Sequence, residues 1–181
     1  MKNSLFFILI ATCVSCSFNE PIDYYNAAVG AGNSSHCFME FESHIERLDE
    51  GIQVDSINLA ERAMMYVPSN EKVVQDLKDL LGNKESDSML KAAINLLSSD
   101  IACTQNPTTQ KLFTAVGNSL TIEELVNNIE PYNTYLDSIY GVKDRLYEIY
   151  DKETTWFARK NDIEIKLFGR DIIPGVNDIK K

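Results

Sequence analysis

The chain has 181 residues, of which 17 are Lys or Arg and 27 are Asp or Glu, so its net charge is −10. This length suffices for one domain with a sizeable hydrophobic core. The acidic balance disfavours nucleic acid as a partner, because binding to phosphates requires Lys and Arg concentrated on one face.

The first 17 residues contain the clearest functional signal in the chain. Lys2 is followed by an apolar segment, residues 5–14, which has the length of a signal-peptide core and is too short to span a bilayer as a helix. A small residue, Ser15, then precedes Cys16. This arrangement resembles the signal sequence of bacterial lipoproteins, in which a small residue comes directly before the cysteine that receives the lipid.

The resemblance implies cleavage between Ser15 and Cys16, so that residues 1–15 are a signal peptide and Cys16 carries the lipid. By the same resemblance, palmitate is among the acyl groups attached there. Residues 16–21 would then form a short tether between the lipid and the fold. Cys13 is the rival site of lipid attachment. An ordinary secretory signal peptide is the remaining alternative.

Beyond the tether, apolar residues recur every three or four positions, which predicts amphipathic helices. The first of these helices contains Gly30 and Gly32, which lower its helix propensity. Pro68 ends or kinks the second helix, and Pro107 starts a short helix after the third. The helices predicted before residue 120 cover residues 22–50, 55–67, 71–81, 87–105 and 107–116.

The longest amphipathic helix is predicted over residues 120–157. Thr121 and Glu124 have the spacing of a capping box at its start. Pro131 interrupts the hydrogen bonding of the helix, but the apolar pattern continues across it in phase. We therefore expect one helix with a kink near Ile129 rather than two independent helices.

These patterns predict an all-α fold, an antiparallel bundle of about four main helices whose long C-terminal helix is kinked at a proline. The bundle domain covers residues 22–168. Residues 169–181 form a predicted flexible tail. No alternating strand with a hairpin partner is found in the sequence.

Three residues of the first predicted helix are candidate metal ligands. His36, Glu40 and His44 are spaced four residues apart, so that neighbouring side chains can share a metal ion in principle. The di-iron bundle signature needs two Glu-x-x-His motifs on separate helices, and this chain contains none. We therefore expect His36 and Glu40 on the solvated surface and His44 at the flank of the core.

Besides the lipid-carrying Cys16, two cysteines, Cys37 and Cys103, remain after the predicted cleavage. A disulfide between them is permitted outside the cytoplasm. The favoured interpretation is that both are small buried residues.

Lys143 falls in the middle of the apolar arc of the longest predicted helix. We expect its ammonium group to form an ion pair with an acidic residue on another helix, or to reach solvent at the end of the bundle. A lysine that binds a ligand is the alternative hypothesis.

No nucleophile–base arrangement or phosphate-binding glycine loop occurs, and no Cys-x-x-Cys pair remains after the predicted cleavage, so we expect a protein without enzymatic activity or cofactor. The signal sequence and the residues Asp23-Tyr24-Tyr25-Asn26 resemble those of uncharacterised small helical surface lipoproteins of Gram-negative bacteria. The resemblance implies a lipid-anchored module of the cell envelope that binds a protein or glycan or has a structural role. A metal- or small-ligand-binding bundle in the periplasm is the alternative.

The residue that follows the lipid-carrying cysteine is Ser17 rather than aspartate. By resemblance to enterobacterial lipoproteins, this favours the outer membrane. The sequence leaves both the periplasmic and the surface face of that membrane open.

Overall fold

The computed structural model describes residues 20–34 and 38–165. These residues form seven α-helices and one 3-10 turn, with no strand among them, so the predicted all-α fold is confirmed. The helices are α1 (Pro21–Asn33), α2 (Met39–Asp49), α3 (Leu59–Asp79), α4 (Asp87–Gln105), α5 (Pro107–Gly117), α6 (Ile122–Ile129) and α7 (Asn133–Lys160), and the 3-10 turn is Glu130–Tyr132. None of these helices is both long enough and apolar enough to cross a membrane.

Several predictions concern residues outside the described ranges. The signal peptide, most of the tether and both candidate lipid sites, Cys13 and Cys16, precede residue 20. The predicted flexible tail follows residue 165. These predictions stay predictions.

The predicted helix over residues 22–50 is wrong, because the structure has two helices there. α1 ends at Asn33 and α2 begins at Met39. The hydroxyl of Ser34 donates a hydrogen bond to the carbonyl oxygen of Gly30, at 2.9 Å, at the end of α1. A glycine costs about 1 kcal/mol relative to alanine inside a helix, so the two glycines in the last turn weaken α1 where it ends.

Pro68 does not separate two helices, because α3 continues through it to Asp79. A proline inside a helix costs about 3 kcal/mol or more. Residues on both sides of Pro68, Val67 and Val74, are buried in the core. Burial of this apolar face stabilises the helix across the proline, at a contribution of about 1.5–3 kcal/mol for each large apolar side chain.

The helix boundaries around Asn106 agree with the prediction. α4 ends at Gln105, and Asn106 has an extended backbone, as expected for a residue before proline. The side chain of Asn106 accepts a hydrogen bond from the backbone N–H of Thr108, at 2.8 Å, and so caps α5. Pro107 occupies the first position of α5, where its missing N–H costs nothing.

The predicted capping box and the interruption at Pro131 are both present. The backbone N–H of Glu124 donates to the hydroxyl of Thr121, at 3.2 Å, and the Glu124 carboxylate accepts from the backbone N–H of Leu120, at 2.8 Å. The expected single helix with a kink near Ile129 is instead two α-helices, α6 and α7, which the 3-10 turn at Pro131 joins. α7 ends at Lys160, three residues after the predicted end at residue 157, and the chain turns at Asp162, which has a φ of 53°.

The buried side chains form two hydrophobic clusters. Cluster A joins α1, α4, the second half of α3 and the second half of α7. Cluster B joins α2, α5, α6 and the first halves of α3 and α7. The buried members of cluster A are Ala28, Ala31, Val74, Leu77, Met89, Leu90, Ala92, Ala93, Ile94, Leu96, Leu97, Tyr150 and Phe157. Those of cluster B are Phe38, Phe41, Leu48, Val54, Leu59, Ala60, Ala63, Leu112, Phe113, Val116, Leu125 and Leu136.

Helices α1 and α7 pack closely against each other within cluster A. The Tyr150 hydroxyl donates a hydrogen bond to the carbonyl oxygen of Ala28, at 3.3 Å. Burial raises the pKa of the Tyr150 phenol, which keeps the donor protonated. A Cβ atom at Gly32 would lie 2.6 Å from Cζ of Tyr150, so the glycine is required for the two helices to approach this closely.

Candidate functional site

A buried ion pair joins α7 to α4. Lys143 is 9% exposed and Asp100 is 1% exposed. The distance between Lys143 Nζ and Asp100 Oδ1 is 3.3 Å. The same ammonium nitrogen lies 4.8 Å from the centre of the Phe38 ring, within range of a cation–π interaction. Lys143 therefore has the partner on another helix that its apolar surroundings predicted.

The ion pair lies where the two hydrophobic clusters meet. On α4, Leu97 belongs to cluster A and Cys103 packs against cluster B, with Asp100 between them. On α7, Leu136 belongs to cluster B and Tyr150 to cluster A, with Lys143 midway between them. The pair thus forms a polar layer across an otherwise apolar interior.

Hydroxyl groups extend this polar layer towards α5. The Thr104 hydroxyl donates to the carbonyl oxygen of Asp100, at 2.8 Å. The hydroxyls of Thr109 and Tyr135 are 2.7 Å apart and share a hydrogen bond. Because a buried polar group costs free energy unless it is hydrogen-bonded, these contacts allow the layer to exist inside the bundle.

Asp100, the partner of Lys143, was not predicted from the sequence. A signal for it does exist in the spacing of α4. Ala93, Leu97, Asp100 and Thr104 are separated by four, three and four residues, and all four are buried. A carboxylate in such an apolar repeat requires a cation from another helix, because an unpaired buried charge is strongly unfavourable.

The three candidate metal ligands are not brought together among the described residues. His36 lies outside the described ranges. The Glu40 carboxylate forms an ion pair with Arg62 of α3, with 3.2 Å between Oε2 and Nη1. His44 is 3% exposed, and its Nε2 lies 3.1 Å from the carbonyl oxygen of Ser119. The described part of the chain contains no cluster of three or more residues that could hold a metal ion.

His44 instead takes part in a packing contact between α2 and the loop before α6. Asn128 of α6 donates from Nδ2 to the hydroxyl of Ser119, at 2.9 Å, and to the carbonyl oxygen of Ala115, at 3.2 Å. His44 and Asn128 thereby hydrogen-bond the same residue, Ser119, from two helices. The histidine is more deeply buried than the predicted position at the flank of the core.

The proposed disulfide involves Cys37, which lies outside the described ranges, so the pairing stays a prediction. Cys103 is half-buried on α4, and its Sγ lies 3.6 Å from the hydroxyl oxygen of Thr109. The thiol therefore borders the polar layer rather than lying in a purely apolar site.

A surface cleft of about 650 Å³ lies between the start of α1 and the end of α7. Its lining includes Glu20, Ile22 and Tyr25 on one side and Asn161, Asp162 and Ile163 on the other. The cleft places the first described residue of the chain next to the last turn of α7.

Comparison with known protein families, with curated proteins and with solved structures finds no match for the chain. The function of the chain is therefore inferred from its own residues. A paired and shielded lysine and a buried, hydrogen-bonded histidine are suited to holding helices together, and neither side chain opens into the cleft between α1 and α7.

Proposed function

We propose that the protein is a lipid-anchored lipoprotein of the cell envelope that acts as a non-enzymatic binding or structural module. The observation that carries this proposal is the arrangement of residues 2–16, with a basic residue, a short apolar segment and a small residue before Cys16. The start of α1 at Pro21 is consistent with it, because only a few residues separate the folded bundle from the proposed lipid.

Radiolabelled palmitate tests the anchor directly. In a Gram-negative host, we expect label in the full chain and none in the variant Cys16→Ala, because the thiol of Cys16 is the proposed site of lipid attachment. The matched control is Cys13→Ala, which should retain the label. Persistent label in Cys16→Ala, with loss of label in Cys13→Ala, would move the anchor to Cys13.

Metal analysis separates the binding or structural module from a metal-binding bundle. The contacts of Glu40 with Arg62 and of His44 with Ser119 support the first function. We expect the purified full chain to contain no stoichiometric transition metal, and His44→Ala to leave its metal content unchanged. Stoichiometric metal that is lost in His44→Ala, provided that its helical circular dichroism is retained, would contradict our proposal.

A further inference from the structure

The outer face of α7 carries a row of exposed apolar side chains. Val142, Ile149 and Trp156 follow one another at intervals of seven residues, and their exposed fractions are 40%, 51% and 50%. On a helix with 3.6 residues per turn, an interval of seven residues drifts by only about 20°, so the three side chains lie in one line. The row is about 21 Å long at 1.5 Å per residue.

A row of basic side chains runs beside the apolar row. Arg145, Lys152 and Arg159 each follow an apolar member by three residues, and all three are exposed. Among the described residues, none of the three forms an ion pair. The chain as a whole carries a net charge of −10, so this face differs in charge from the rest of the molecule. We call the two rows together the α7 outer face.

A second copy of the chain does not fit the α7 outer face when it presents the same face in an antiparallel packing. Such a contact would place two basic rows against each other, and like charges in contact disfavour association. The occupant must instead be anionic and must accept apolar side chains. The headgroup region of an anionic bilayer has both properties, and tryptophan and basic residues on one helix face are typical of interfacial helices.

The position of the α7 outer face relative to the proposed lipid favours the membrane over an acidic protein. Glu20 and Asn161 line the same cleft, so the start of α1 lies beside the end of α7. Glu20 is four positions after Cys16, and a fully extended chain of that length reaches about 14 Å. A lipid on Cys16 would therefore hold the end of α7 close to the bilayer, at a high effective concentration of headgroups.

We propose that the α7 outer face lies along the membrane surface, with its apolar row in the headgroup region and its basic row against anionic phospholipids. This inference rests on the proposed lipid anchor for its geometry. Glu153, which is half-buried beside the apolar row, is an acidic group on this side of the helix. Glu148, which is exposed and lies three residues after Arg145, is a second. Two acidic groups stand against three basic side chains, so the charge of the α7 outer face remains positive.

Trp156 is the one tryptophan of the chain and reports on this contact without a label. We would record its emission in the full chain with vesicles of phosphatidylcholine alone and with vesicles that also contain phosphatidylglycerol. The expected result is a blue shift and quenching by brominated lipid in the anionic vesicles only. High salt should reduce both effects, because it screens the basic row.

Charge reversal tests whether the basic row causes the response of Trp156 to anionic vesicles. With the proposed lipid in place, the variant Arg145→Glu/Lys152→Glu/Arg159→Glu should still bind vesicles but should lose the Trp156 shift in anionic vesicles, since each basic residue near an anionic surface contributes roughly a fivefold factor to the contact of α7. The matched control is Lys72→Glu/Lys78→Glu/Lys111→Glu, which changes the net charge equally at exposed positions of α3 and α5. The control should keep the Trp156 shift, and circular dichroism should show equal helicity in both variants.

A relocated tryptophan tests whether the whole row contacts the membrane. In the variant Trp156→Phe/Val142→Trp, the new tryptophan lies at the far end of the row, and we expect it to shift as Trp156 does. No shift at position 142 would contradict a helix that lies along the surface.

Two further outcomes would overturn the proposal. One is Trp156 emission that anionic vesicles do not change. An acidic protein would then be the expected partner of the α7 outer face. The other is an equal Trp156 shift in the two triple variants. Failure of the anchor is recognised separately, because it removes palmitate label from the chain, whereas failure of the α7 outer face leaves the label and abolishes only the Trp156 response.

Discussion

Replacing Lys143 with methionine is expected to lower the free energy of unfolding by about 3–5 kcal/mol, the usual cost of removing one partner of a buried ion pair. Methionine can occupy the space of the lysine stem but carries no charge. Asp100, at 1% exposure, would then keep a carboxylate inside the bundle without the cation that faces it. Urea unfolding, followed by circular dichroism, measures the change.

Two controls test whether this loss of unfolding free energy comes from the Asp100 carboxylate, which Lys143→Met leaves without its cation. Lys91→Met removes an exposed lysine of α4 that lies 3.8 Å from Asp87, and surface pairs of this kind contribute only about 0–1 kcal/mol. The double variant Lys143→Met/Asp100→Leu should recover at least half of the loss, because replacing both charges by apolar groups is often nearly neutral. A double variant as unstable as Lys143→Met would show that the stranded charge is not the cause.

The second large effect is expected at Gly117, the last residue of α5. The carbonyl oxygen of Gly117 accepts a hydrogen bond from the backbone N–H of Ile57, at 2.9 Å. A Cβ atom at residue 117 would lie 3.3 Å from the carbonyl carbon of Ile57, nearer still to its oxygen, and 3.2 Å from Cγ of Leu59. Because the obstacle includes backbone, Gly117→Ala must displace the segment before α3.

We expect Gly117→Ala to lower the free energy of unfolding by about 1–3 kcal/mol, the usual cost of overpacking. Gly141→Ala is the matched control, since a Cβ atom there meets nothing within 4 Å in the middle of α7. Helix propensity alone should make this control more stable than the wild type by up to about 1 kcal/mol. Thermal unfolding of both variants checks the difference, and a Gly117→Ala protein at least as stable as wild type would contradict the close approach.

The prolines and glycines show which features of the fold depend on neighbouring residues and which depend on distant ones. Pro107 begins α5 as its position predicted, because capping and the missing N–H act within a few residues. Pro68 has the same local chemistry but lies inside α3, where burial of the helix against α4 outweighs its cost. The break between α1 and α2 was missed because the apolar spacing of three and four residues continues across it without indicating where the backbone hydrogen bonds stop.

The candidate site also combines local features, which the sequence predicted, with non-local features, which the fold determines. The apolar position of Lys143 predicted a partner on another helix, and the structure supplies Asp100. The identity of that partner depends on which turn of α4 packs against α7, and two residues 43 positions apart have no local pattern in common. Burial of His44 likewise depends on Ser119, which a different part of the chain contributes.

The sequence by itself determined the helical class, the start of α5 at Pro107 and the capping box of α6, and it supplies the N-terminal residue pattern on which the proposed anchor depends. Each of these follows from residues within about four positions of one another, or from composition over a short segment. The tertiary structure decided the continuity of α3, the pairing of Lys143 with Asp100 and the exposure of the apolar row of α7. These depend on the free energy of burial between distant segments, and helical periodicity alone does not specify which of two apolar faces is covered.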